Sequence, residues 1–84
     1  MPYHVELETK ALKEFRSLPK EIQRNFADII KDLEQNPRPP GIKKLTNYEG
    51  YRVRSGTYRL LYTIEDKSKL VRIYRIGHRR EIYR

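Results

Sequence analysis

The chain has 84 residues, no cysteine, no tryptophan and a net charge of +8. That length allows one domain, residues 1–84, with a modest core, since a chain of this size buries only ~60–65% of its unfolded surface. The composition excludes disulfides, cysteine-held zinc and thiol chemistry, no apolar run approaches the ~18 residues of a membrane span, and no secretory leader is visible, so a cytoplasmic protein is expected.

Residues 1–8 read as a strand, with Tyr3, Val5 and Leu7 alternating against His4, Glu6 and Glu8. Thr9 is expected to cap a first helix that shows Ala11, Leu12 and Phe15 on one face and stops near Ser17-Leu18, because Pro19 disfavours a helical residue before it. A second helix is expected over residues 19–35. Ile22, Phe26, Ile29, Ile30 and Leu33 form its apolar stripe, and Lys20, Gln23, Arg24, Lys31 and Glu34 its wet side. Residues 36–41 (Asn-Pro-Arg-Pro-Pro-Gly) cannot continue a helix and form a rigid loop.

After this loop the apolar period changes to two. Strands are expected over residues 42–45, 51–54, 58–64 and 70–76, as antiparallel neighbours joined by turns at Ser55-Gly56 and at residues 66–68. The fold class is therefore α+β. An N-terminal strand and a helical hairpin pack on one face of a small, mostly antiparallel sheet.

The charge divides at the same loop. Residues 1–40 carry 7 basic and 7 acidic side chains, whereas residues 41–84 carry 12 basic and 4 acidic, with six of the seven tyrosines. Arginine forks fit phosphate oxygens and tyrosine rings stack on unpaired bases, so nucleic acid, RNA first, is the expected partner, the alternative being a solubilising surface with tyrosines half buried in a sheet. The hairpin around Ser55-Gly56 sharpens this expectation. A two-residue loop with Arg54 opposite Thr57 puts Tyr51, Val53, Tyr58, Leu60, Tyr62 and Ile64 on one face. Arg52, Arg54, Thr57, Arg59, Leu61 and Thr63 then take the other. A one-residue slip would bury Arg52 and Arg54 unpaired, at a cost of several kcal/mol. The expected result is a cluster of Arg52, Arg54 and Arg59 on the face the helices leave open, with Val53, Leu60 and Tyr62 against Phe15, Phe26 and Ile30. Gly77 lets the C-terminal run turn sharply, so His78, Arg79 and Tyr83 can fold back over the arginine face. His78 is a candidate general acid or base. Histidines and acids do not recur at metal-ligand spacing and the glycines are isolated, so neither a metal nor a cofactor is expected.

Residues 51–62 (Tyr-Arg-Val-Arg-Ser-Gly-Thr-Tyr-Arg-Leu-Leu-Tyr) resemble the central hairpin of RelE/ParE-type toxins of prokaryotic type II toxin–antitoxin systems. Residues 77–83 (Gly-His-Arg-Arg-Glu-Ile-Tyr) resemble the C-terminal signature of the same family. The resemblance covers essentially the whole chain and is closer to the RelE branch. It implies a RelE-like fold and a metal-independent endoribonuclease, an mRNA interferase that cuts in the ribosomal A site by attack of the ribose 2′-OH on the adjacent phosphate. It implies Arg59, Arg79 and Tyr83 as catalytic residues, with His78 as the alternative proton carrier, and Arg52, Arg54 and Arg80 as phosphate-binding residues. It also implies an acidic cognate antitoxin, with ribosome and mRNA as the other partners, no membrane, and no DNA bound by the toxin itself. Arg52 and Arg54 stand where lysine is frequent in the family, and arginine cannot serve as a general base. The alternatives are a ParE-like inhibitor of DNA gyrase without nuclease activity and an inactive RNA-binding relative.

Overall fold

A computed structural model describes residues 2–83. Met1, where the sequence reading begins the first strand, and Arg84 lie outside them. The elements in chain order are β1 (His4–Leu7), α1 (Thr9–Arg16), α2 (Lys20–Gln35), β2 (Lys43–Lys44), β3 (Tyr51–Ser55), β4 (Tyr58–Glu65) and β5 (Leu70–His78). The five strands form one sheet in the order β1-β5-β4-β3-β2. β1 runs parallel to β5 and every other pair is antiparallel. The α+β class and the helical hairpin on one face are as expected, with small changes at element ends.

Thr9 is the first helical residue, not the cap. Glu8 stands at the N-cap in extended conformation and makes no side-chain cap bond. The hairpin is closed from the other side by a residue assigned to the wet face. Gln23 Nε2 donates to the carbonyls of Phe15 and Arg16, both at 3.0 Å, and satisfies acceptors that the end of α1 leaves open. Between the two helices Pro19 is the N-cap of α2.

Phe26 and Leu33 of α2, Ala11 of α1 and Leu18 from the connection meet Leu60 and Tyr62 of β4 and Val71, Ile73 and Ile76 of β5 in one buried cluster. Val53, Phe15 and Ile30 flank it, partly buried, as the pairing of faces requires. Val71, Ile73 and Ile76 cannot share a face of a regular strand, since the period is two. A bulge solves this. Leu61 pairs Arg75 but Tyr62 pairs Ile73, so Tyr74 is the extra residue and alternation restarts beyond it. The buried Tyr62 hydroxyl is satisfied, for it donates to the Pro37 carbonyl at 2.8 Å, and burial pushes its phenol well up.

Two exposed ends of the sheet are tied by side chains. β1 pairs β5 only as far as Ile73, which leaves the upper edge of β5 unpaired. Glu14 of α1 covers it, accepting the Ile76 amide at 2.9 Å and pairing with Arg75 Nε at 3.1 Å. At the opposite end Asp66 accepts both arms of Arg38 (3.2 and 3.0 Å) and the Tyr3 hydroxyl at 2.6 Å. Arg38 and Tyr3 hold its carboxyl down at about 2. Both side chains are about half exposed to solvent, so this pair contributes little to stability.

The β2–β3 connection depends on one glycine. Gly50 has φ +93, and a Cβ there would collide with the Tyr62 carbonyl. Its own carbonyl accepts the Leu45 amide at 2.9 Å and closes the loop. Gly50→Ala should therefore lower stability by ~1–3 kcal/mol, the scale of a strained backbone site. Urea unfolding checks this, and a variant as stable as the parent would contradict the role assigned to Gly50.

Candidate functional site

The β3–β4 hairpin sets the site. Its loop is Gly56-Thr57 and not Ser55-Gly56, so Arg54 opposes Arg59 rather than Thr57, and Ser55 opposes Tyr58. Gly56 has φ +59 at the first turn position, where a type II′ turn needs glycine. This register lies two residues from the expected one, and a shift of two preserves the faces. Arg52, Arg54, Arg59 and Leu61 accordingly share the face away from the helices, while Val53, Leu60 and Tyr62 point into the core.

Across that face Arg54, Arg59 and Gly77 lie in one row, on β3, β4 and β5. A Cβ at Gly77 would touch nothing within 4 Å, so the flank of Arg59 is left open. The next row holds Lys43, Arg52, Leu61 and Arg75. Arg54 is exposed and Arg52 and Arg59 are half-buried. None of the three has an ion-pair partner among the described residues. Arg75 differs, since Glu14 neutralises it. Like charges set directly opposite one another destabilise a sheet, so the Arg54–Arg59 pair works against folding.

From Arg79 onward the C-terminal segment folds back across this side of the sheet, but His78, expected to go with it, does not. It starts at the hairpin turn, where the Arg79 amide donates to the Thr57 carbonyl at 2.8 Å. The Glu81 and Ile82 amides both bond the His78 carbonyl, making a tight turn. The segment ends against the β2–β3 loop. Tyr83 stacks on Tyr48, ring centroids 5.0 Å apart, and the Tyr48 hydroxyl donates to the Tyr83 carbonyl at 3.1 Å. Leu61 and Ile82 are only 1% and 2% exposed yet stand outside the helix-covered cluster, which fits a second small apolar contact beneath the tail. Tyr74, the bulge residue, donates to the Glu49 carbonyl at 2.8 Å. Burial and its neighbours Tyr83, Glu49 and Tyr48 push its phenol up.

The structure thus brings Arg52, Arg54 and Arg59 together, sets Arg79 at the hairpin turn, and carries Tyr83 across the same face to Tyr48. Arg80 is exposed, and its amide donates to His78 Nδ1 at 3.2 Å. His78 is placed elsewhere. It opposes Tyr58, with its ring edge-on at 5.5 Å, on the helix side of the sheet. Two residues were missed by sequence reasoning. Lys43 joins the arginine face because it pairs Arg52, a register that no turn motif in residues 45–50 announces. Tyr48, 45% exposed, holds the tail; the signal that could have found it is the glycine two residues later.

The sequence matches, over residues 5–83, the family described as ParE toxin of the type II toxin–antitoxin system parDE. The chain belongs to the RelE/ParE family of type II toxins. Within this family it is 37% identical over 86 residues to Toxin RelG of Mycobacterium tuberculosis, spanning 100% of this chain and 99% of that protein. It is 32% identical over 88 residues to the putative toxin RelE1 of Methanocaldococcus jannaschii, spanning 100% and 98%. Its fold is similar to that of the archaeal RelE–RelB complex from Pyrococcus horikoshii, with a TM-score of 0.83, 31% identity, and 96% and 99% of the two chains covered. The M. tuberculosis RelBE2 toxin–antitoxin complex gives a TM-score of 0.80 at 33% identity, covering 93% and 99%. As a type II toxin of this family, the protein has the family's two helices on a mixed five-stranded sheet.

The Tyr48 contact predicts how the toxin's tail moves. Tyr48→Ala should speed amide exchange at Glu81 and Ile82, while amides of β4 stay protected. Hydrogen exchange read by NMR measures both, and unchanged rates at Glu81 and Ile82 would show that the tail holds itself.

Proposed function

We propose that this toxin is a ribosome-dependent, metal-independent endoribonuclease that cleaves mRNA in the A site and so stops translation in the cytoplasm. The observation that carries the reading is the row of Arg54 and Arg59, beside Arg52, on an open face without a counter-ion among the described residues. The fold gains nothing from that arrangement, and a phosphodiester does.

In the reaction the ribose 2′-oxygen attacks the adjacent phosphorus and the bond to the 5′-oxygen breaks. The products are a 2′,3′-cyclic phosphate and a 5′-hydroxyl, so one proton leaves the 2′-OH and one reaches the 5′-oxygen. Negative charge builds on the phosphorane in between. Arg59, with the open flank beside Gly77, and Arg79, tied to the hairpin turn, stabilise it. Arg52, Arg54 and Arg80 hold the strand. Arginine stays protonated, so the proton falls to Tyr83 or His78. Tyr83 is the better supported, since it lies on the arginine side of the sheet while His78 sits on the other with Nδ1 engaged. The ribosome contributes by aligning the 2′-OH for attack. An acidic antitoxin that covers the arginine face or displaces the tail would silence the toxin. The M. tuberculosis and P. horikoshii structures it resembles are toxin–antitoxin complexes, which supports such a partner. Inhibition of DNA gyrase is the second reading, favoured by the ParE name of the matching family.

Single-turnover cleavage on programmed ribosomes, run beside a gyrase supercoiling assay, tests this. Arg59→Ala should slow cleavage ~100-fold or more, the effect of losing one charge-stabilising donor. Tyr83→Phe should slow cleavage far more than it weakens ribosome binding. Loss of cleavage in His78→Ala with Tyr83→Phe intact would move the proton to His78. Gyrase inhibition without cleavage would overturn the nuclease reading.

A further inference from the structure

The short strand β2 adds a cation that the nuclease reading does not use. Lys43 pairs Arg52, so its side chain leaves the sheet on the arginine face, one strand beyond Arg52. Lys43, Arg52, Arg54 and Gly41 line a notch of about 120 Å³. Gly41 has φ +92, and a Cβ built on it meets nothing within 4 Å, so this wall of the notch is bare backbone. Neither Lys43, Arg52 nor Arg54 has an ion-pair partner among the described residues. Three cations from two strands around a small hollow form a site for an anion. The hollow is walled by backbone and cationic side chains, with no aromatic ring to stack a base.

The notch is centred one row away, on Lys43 and Arg52, and shares Arg54 with the row of Arg54 and Arg59. Positions two apart on β3 lie ~6.6 Å apart. That is a step an extended RNA strand can match between successive phosphates. We propose that the Lys43–Arg52–Arg54 notch binds a phosphate of the mRNA next to the scissile one, with Lys43 as the residue that defines this subsite. The proposal rests on the nuclease reading. Lys43 holds the strand in place and takes no part in bond making or breaking, and Arg54 is shared between the two phosphates.

A binding role and a chemical role separate in the kinetics. Single-turnover cleavage on programmed ribosomes is measured against toxin concentration for wild type, Lys43→Gln, Lys43→Arg and Lys20→Gln. Lys43→Gln should raise the half-saturating concentration roughly tenfold, the effect of one charged hydrogen bond, and leave the maximal rate unchanged. Its salt dependence should be shallower by ~0.7 in the log–log slope, one single-strand phosphate contact. Lys43→Arg should restore both. Lys20→Gln removes an equal charge from α2, on the helix side, and should change neither. A message with a neutral methylphosphonate at the linkage beside the cleavage site identifies the source of the phosphate. It should weaken wild type as Lys43→Gln does, and Lys43→Gln should be indifferent to it. If Lys43→Gln stays sensitive to the neutral linkage, the notch holds a ribosomal phosphate and the assignment to mRNA is wrong. A fall in maximal rate with unchanged half-saturation would place Lys43 in the chemistry and overturn the subsite, as would no effect at all. Should wild type cleave nothing, the nuclease reading itself fails. Inorganic phosphate then tests the notch alone, through amide shifts at Gly41 and Arg52 that Lys43→Gln abolishes if the anion site is real and leaves unchanged if it is not.

Discussion

The pairing of β3 with β4 is the constraint on which the rest of the molecule depends. Val53 opposite Leu60 and Arg54 opposite Arg59 assign each side chain of the hairpin to one of two incompatible environments. One is a closed core with Phe26, Leu33 and Ile73, and the other a face on which Arg52, Arg54 and Arg59 have no ion-pair partner among the described residues. A slip by one residue would exchange them, driving unpaired guanidiniums under the helices at several kcal/mol. A slip by two changes the partners but neither environment. The fold is therefore tolerant of which turn closes the hairpin and intolerant of its parity.

A second layer of contacts decides what lies on the open face. Glu14 takes up the free edge of β5 and neutralises Arg75, which removes that arginine from the cationic field and leaves the β3–β4 arginines as its centre. The Tyr74 bulge keeps Ile76 in the core and Gly77 beside Arg59. The tail is held at two points, the Thr57 carbonyl and the Tyr48 ring. The loop bearing Tyr48 is held in turn by the backbone approach that Gly50 permits. Structure and proposed function meet here, because the tail sets Arg79 at the hairpin turn and carries Tyr83 to the arginine side, and its anchors are residues with no part in the proposed chemistry.

Much of this was legible in the sequence because it rests on period and charge. The stripe Ile22, Phe26, Ile29, Ile30, Leu33 fixes the face of α2, and alternation through residues 51–64 sorts arginines from core residues. What escaped depends on partners distant in sequence. Gln23 reads as a wet-side residue until α1 is folded against it. Lys43 is one of two adjacent lysines until its register with Arg52 is known. The bulge at Tyr74 was written in the uneven spacing of Val71, Ile73 and Ile76, and a reading that assumed regular alternation passed over it. His78 follows Gly77 in the same basic run as Arg79, yet strand pairing continues through it and sends its side chain to the opposite face from Arg59.

The central claim is that the arginine face serves a ligand at the expense of the fold. Urea unfolding of wild type and Arg54→Gln at low and high salt tests it most directly. Gln keeps most of the aliphatic stem and removes the charge facing Arg59. The account predicts that Arg54→Gln is more stable by ~0.2–1 kcal/mol at low salt, the scale of one cross-strand pair, and that the gain disappears as salt screens the repulsion. A variant less stable than wild type at low salt would show that Arg54 supports the fold and would contradict the account.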